Sequence, residues 1–200
     1  MRRKLNSYAI FAEFWHNMFR FKTAILKQIQ AAAHLVALEG GRIDRLRLLK
    51  LLYISDRESL AERGAPIIGG RVAALDNGPL HSDIYEFIKG AHEDAGEWKK
   101  FFTNDGHVVI ATADPGRMEL SPFEIDKLTE VSDRLRPHDS WEVAELTHKF
   151  AEWIECHVAG TSRPIPMERI LASLGFTEED IEQVRSTAES NQRMRKALCG

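Results

Sequence analysis

Apolar residues recur along most of this chain at the three- and four-residue spacing of helices that bury one face. From Lys22 to Leu38 that spacing predicts a first helix, whose small-residue centre "AAAHLVAL" lets a neighbour approach closely and whose stop is Gly40-Gly41. A second helix is predicted from Asp44 to Arg63, ending at Gly64. Its Leu46, Leu48, Leu49, Leu52 and Tyr53 spread over an arc too wide for a surface helix, which makes it the expected centre of the core. Asp56 falls inside that arc, whereas Lys50 and Arg57 fall outside it. A buried carboxylate needs partners, because leaving it unpaired costs several kcal/mol or neutralises it. The backbone N–H groups of the following "GAPIIGGR" and the side chain of Arg71 are the candidates, so Asp56 is expected to organise that loop.

The helical pattern breaks at "RVAALDNGPLHSDIYEFIKG". An extended run from Arg71 to Leu75 meets the turn signal Asp76-Asn77-Gly78-Pro79, and Ser82 is placed to cap a short helix carrying Ile84, Tyr85 and Ile88. "KKFFTNDGHVVIATAD" predicts a strand pair turning at Asn104-Asp105-Gly106. "SPFE" is a capping box, and the helix behind it has the stripe Ile125, Leu128, Val131, Leu135 before Pro137. The next helix is predicted to run from Ser140, burying Leu146, Phe150 and Ile154, with Trp141 and His148 on its opposite side. A short helix from Pro166 to Leu174 precedes "TEED", which opens a last helix, acidic early and basic late. With no repeat or low-complexity linker, the expected fold is mainly α: a compact single-domain helical bundle with a small β-hairpin or short antiparallel sheet.

A net charge of -3 and a pI near 6.3 supply no global basic field, which counts against a nucleic-acid binder. Cys156 and Cys199 are far apart, and no cysteine or histidine cluster has zinc spacing, so neither a disulfide framework nor a bound metal is expected. The basic start of the chain lacks the apolar stretch of a signal peptide, no run is long enough to span a bilayer, and a cytoplasmic protein is expected.

His81-Ser82-Asp83 has the residue types of a hydrolytic triad, but consecutive residues at a helix start point about 100° apart and cannot form the relay among themselves. No Gly-x-Ser-x-Gly elbow, phosphate loop, dinucleotide fingerprint or His-Glu-x-x-His occurs. No catalytic residue, cofactor or metal ligand is therefore assigned. Glu142 and Glu145, like Glu178, Glu179 and Asp180, sit where helix dipoles favour them. The basic cluster Arg42, Arg45, Arg47 and Lys50 reads as a solvated face. Trp141 is a large aromatic on an outer face, the type that anchors interfaces. Asp76, Asn77, His81, Trp141 and His148 are the candidate partner contacts, and the β segment offers a recognition edge.

The chain resembles the SocA-like, Panacea-domain antitoxins of bacteria. The resemblance rests on Lys50-Leu-x-Tyr53-x-x-Asp56, then Gly64-x-Pro66-Ile-x-Gly69 with Arg71 behind it, then Gly78-Pro79-x-x-Ser82-x-x-Tyr85. "LSPFEIDKLTEVSDRL" and "ELTHKFAEW" agree as well, so that most of residues 20 to 185 is covered and the Panacea-like unit is expected over 18–198. The resemblance implies a non-enzymatic protein that neutralises a cognate toxin by direct contact, and a member of this type also delivers its toxin to a AAA+ protease such as ClpXP. It carries no catalytic residues across; Lys50, Tyr53, Asp56, Gly64, Pro66, Gly69, Arg71, Gly78, Pro79, Ser82 and Tyr85 transfer as positions of structural weight. Residues 1–17, with Tyr8, Phe11, Phe14 and Trp15, stand as an N-terminal extension, and His81 replaces a common proline. The alternatives are a prophage-associated regulator that binds nucleic acid and a hydrolase with an unrecognised site.

Overall fold

The computed structural model describes residues 19–22 and 24–199, so the extension at 1–17 lies outside the described residues. The chain is mainly α, with nine helices and two small antiparallel sheets among those residues. Helix α1 spans Ile25–Leu38 and is followed by a three-residue strand β1, Arg42–Asp44. Helix α2, Arg45–Arg63, is the axis of the fold. Asp44 caps it by accepting the N–H groups of Leu46 and Arg47, and Gly64 ends it in the left-handed conformation at φ +65°.

Helix α2 is buried around its whole circumference from Arg47 to Asp56, as expected of the central helix of the core. On one side Leu48, Leu49, Leu51 and Leu52 join α1 and helix α5, Pro122–Leu135, in the larger core. On the other side Tyr53 and Leu60 meet Val72, Ala74, Ile165, Ile170 and Leu171 in a second cluster. Lys50 and Arg47 are drawn in with them. The expected solvated basic face is therefore corrected: Lys50 is fully buried and Arg47 nearly so. Arg47 is satisfied by Glu39 at 2.8 Å and by the carbonyls of His138 and Leu135, which close the end of α5.

The segment after α2 forms a two-residue hairpin rather than a single extended run. Strand β2, Val72–Leu75, pairs with β3, Gly78–His81, in the register Val72↔His81 to Leu75↔Gly78. Strand β6, Arg163–Pro164, covers the other edge of β2. All four residues of β3 are buried, so this edge is not open for strand addition. Helix α3, Ser82–Lys89, starts directly from β3, with His81 at the N-cap position and no side-chain cap, so the capping role expected of Ser82 is corrected. Pairing through His81 leaves no loop residue to turn back as a cap, and the Ser82 N–H instead donates to Arg71 O at 2.7 Å.

Helix α4, Ala95–Lys99, leads to the predicted strand pair, β4 Phe102–Asp105 and β5 Val108–Ala111, which turns one residue later than expected, at Gly106-His107. Strand β1 completes that sheet on β5. The capping box Ser121/Glu124 forms as predicted. The helix expected from Ser140 to Ile154 is two: α6, Ser140–Thr147, capped by Asp139, and α7, Ala151–Cys156. The break re-aims the side chains, leaving Ile154 60% exposed rather than buried. Helices α8, Met167–Ser173, and α9, Glu178–Cys199, close the chain as predicted.

Candidate functional site: a cleft over the central helix

Asp56 is where the polar cluster begins. Buried on α2, its Oδ1 accepts the N–H groups of Ile67 and Ile68 at 2.8 and 2.9 Å, and its Oδ2 accepts that of Gly69 at 2.9 Å. One carboxylate thus folds the "APIIGG" loop around itself, the role its position predicted, with three N–H groups it would otherwise leave buried and unpaired. Burial pushes its acidity toward the neutral form, while nearby His81 and the three N–H groups pull the other way; the net shift is upward. His81 is itself buried, with Nε2 3.3 Å from Asp56 Oδ2 and its ring against Tyr53. Arg71, the other expected partner of Asp56, binds Asp83 and Glu86 instead. His81, Ser82 and Asp83 are thereby pulled to different neighbours and form no relay with one another.

Behind Tyr53 lies a charge network the sequence did not reveal. Glu152, 1% exposed, accepts from Tyr53 Oη at 2.7 Å and from Arg57 Nε at 2.8 Å. Burial alone would push the Glu152 carboxyl up; the bonds from Arg57, Ser173 and Tyr53 outweigh it and hold the group below the usual carboxylate range. Two residues ninety-nine positions apart had no spacing to betray them.

The β2–β3 turn is fixed from two sides. Asp76 accepts from Gly160 N and meets His157 Nε2 at 2.9 Å. Trp153 donates Nε1 to Leu75 O and is sandwiched between His148 and His157, with ring centres 4.3 and 4.4 Å away. His148, half-buried at the end of α6, packs one face of its ring in this stack and meets exposed Glu145. Gly78 has φ +92°, and a Cβ there would sit 2.3 Å from Thr147 Oγ1 and 3.0 Å from Lys50 Nζ. Only glycine fits where the turn presses on α2 and α6.

These constraints shape a cleft of about 840 Å³ over the first turns of α2. Leu46, Leu49, Leu75, Leu80 and Tyr85 give it apolar walls, Asp76-Asn77-Gly78 form one rim, and Trp141, 62% exposed, stands at the other. Lys50 lies under the floor, its Nζ donating to Pro79 O at 2.7 Å, and burial lowers its pKa to about 7. Of the expected partner contacts, Asp76, Asn77 and Trp141 are brought together here; His81 is buried, and the half-buried His148 stacks on Trp153. Family-matching Lys50, Gly78 and Tyr85 line the same cleft, whereas Gly64, Pro66, Gly69 and Arg71 shape the loop around Asp56. Elsewhere Asp83, Glu86 and His92 each bring one ligand-type atom within 4.8 Å of the others, but Arg71 already holds both carboxylates.

The scaffold is mainly helical, and the half-apolar cleft lies beside the hairpin that follows the loop Asp56 organises. The family model described as antitoxin SocA-like, Panacea domain, matches residues 48–154, just over half of the chain, and the chain belongs to that family. The match takes in both stretches that carried the resemblance, while residues 20–47 and 155–185 lie beyond it. No curated protein and no solved structure matches the chain. Among the described residues no helix is long and apolar enough to cross a membrane.

Proposed function

We propose that this chain is a cytoplasmic antitoxin that neutralises a cognate toxin protein by direct contact, and that the cleft over α2 is the surface it uses. The observation that carries this reading is the coincidence of family match and cleft: Lys50, the Asp76–Gly78 turn, Tyr85 and Trp141 all fall within the matched residues. The buried polar residues nearby act as its framework. Asp56 shapes a loop, Tyr53 and Arg57 neutralise Glu152, and none of these groups is left aimed at a substrate. The nucleic-acid reading loses two of its four clustered cations, since Arg47 and Lys50 point inward.

The test is genetic and then biochemical. The open reading frame beside this gene is expected to arrest growth when expressed alone, to be harmless when co-expressed with this chain, and to co-purify with it. A harmless neighbour that does not co-purify overturns the proposal. Delivery to a AAA+ protease such as ClpXP is a further step of the same proposal, supported if the toxin's half-life in cells shortens when this chain is present and the protease is active.

A further inference from the structure

The charges around the cleft are not balanced in the way their number suggests. Three carboxylates line it, and each is in use. Asp44 accepts two N–H groups at the start of α2, and Asp139 accepts those of Trp141 and Glu142 at the start of α6. Both are helix caps whose charge the helix ends compensate. Asp76 is held by His157 and Gly160. The two cations differ. Arg45 bonds the ring of His107 at 2.9 Å, and the ammonium of Lys50 has only the carbonyl of Pro79. Among the described residues neither has a carboxylate within ion-pair distance.

An ammonium carries three donors, and a buried one with a single neutral acceptor is under-satisfied. Gly78 and Lys50 both line the cleft, and a Cβ at Gly78 would lie 3.0 Å from Lys50 Nζ, so its missing side chain leaves that amine close to whatever enters. Arg45 stands at the entrance. The remaining wall combines leucine, tyrosine and the exposed indole of Trp141 with the polar Asn77, His107, Ser140, Thr161 and Ser162.

We infer that the cleft receives an acidic segment of the partner protein, a carboxylate side chain flanked by apolar ones, with the carboxylate between Arg45 and Lys50 and an apolar neighbour against Trp141. This deepens the antitoxin reading and rests on it. A basic segment would meet Arg45, the charged fraction of Lys50 and no free carboxylate. A nucleic-acid backbone would find Arg45 and one buried amine, short of the row of charges that phosphates require.

The test uses the purified product of the adjacent open reading frame, titrated calorimetrically into the whole chain. Arg45→Glu, at the first position of α2 where an acid is tolerated, and Trp141→Ala are each expected to weaken binding by about tenfold or more, since central arginine and tryptophan anchors cost at least that. Lys100→Glu, exposed, paired with Glu97 and outside the cleft lining, is the control and leaves affinity within about twofold. Replacing each partner Asp and Glu by Lys in turn is expected to find one position whose loss of binding Arg45→Glu restores. Equal melting temperatures for the variants and parent separate binding from folding. A complex whose affinity ignores both cleft substitutions overturns the inference while leaving the antitoxin reading standing; tighter binding by Arg45→Glu overturns it in favour of a basic occupant. Restoration failing at every internal acid but loss on amidation of the partner's C-terminus would overturn it in favour of a terminal carboxylate. Binding of a mixed-sequence DNA duplex that Arg45→Glu abolishes, with the protein complex untouched, makes nucleic acid the occupant. No complex at all overturns the antitoxin reading, and this one with it.

Discussion

Gly69 gives its N–H to Asp56 Oδ2 at 2.9 Å, thirteen residues after the helix position that bears the carboxylate. With the two bonds to Oδ1 this is the tie between α2 and the strand hairpin that forms a cleft rim. Asp56→Ala removes one acceptor and strands three buried donors at once. At about 1–3 kcal/mol for each unsatisfied buried group, partly relieved by entering water, the expected loss is about 3 kcal/mol or more. Urea denaturation of the variant and parent checks it, and an unchanged midpoint would remove Asp56 from the framework.

Gly78 is expected to be the least replaceable residue of the turn. Gly78→Ala must adopt a left-handed backbone, costing about 1–2 kcal/mol, and must also displace Thr147 Oγ1 from a 2.3 Å approach. Stability is expected to fall by about 2 kcal/mol or more, and partner binding to fall with it because the rim moves. Gly106→Ala is the comparison: its φ is +59° but nothing lies within 4 Å of the added carbon, so only the backbone cost applies. Thermal melts of the pair separate strain from crowding.

Asp56 and its loop were legible because the rule behind them is local: a carboxylate on an apolar arc must find donors, and the next segment supplied them. The Ser121 capping box and the Gly64 stop were legible for the same reason. Lys50 was not. A helical wheel assigns residues off the apolar arc to solvent, which holds only when one face of the helix is buried, and α2 has a core cluster on each side. The β2–β3 hairpin was half seen, since four-residue strands give little alternation and Pro79 disguises the second one. The break between α6 and α7 has no glycine or proline at 148–150 to announce it, so Ile154 was placed on the wrong face. Of the site, the Asp76-Asn77 turn and Trp141 were marked beforehand, whereas the pairing of Glu152 with Tyr53 and Arg57 depends on tertiary packing alone.

That network sets the acid limb of stability. The Glu152 carboxyl titrates lower in the folded chain than the 4.5 of an unfolded glutamate, so its contribution is present above that value and is lost as pH falls through the folded one. Arg57→Ala leaves a fully buried carboxylate with only the neutral hydroxyls of Ser173 and Tyr53 and is expected to cost about 3 kcal/mol at neutral pH. Tyr53→Phe keeps the ion pair and is expected to cost about 1–2 kcal/mol. Glu152→Gln should flatten the acid limb, read from denaturant midpoints between about pH 6 and pH 3; a parent-like limb in that variant would assign the acid sensitivity elsewhere.

Lys50 predicts the opposite limb. Its pKa is lowered from 10.5 to about 7 by burial, so between those values the unfolded chain binds a proton that the folded chain has released. Stability therefore rises with pH across that window, and the cost of burying the ammonium is felt in full below about pH 7. Tyr53 bounds the gain from above: its raised pKa means that the unfolded chain loses the phenolic proton first, which erodes stability beyond about pH 10. Lys50→Met removes the charge and keeps the length of the side chain, at the expense of the bond to Pro79 O, worth about 1 kcal/mol. In that variant the rise between about pH 7 and pH 9.5 should be largely gone in urea midpoints. If the parent shows no rise there, or Lys50→Met keeps it, the amine is not the desolvated group that its burial under Gly78 requires.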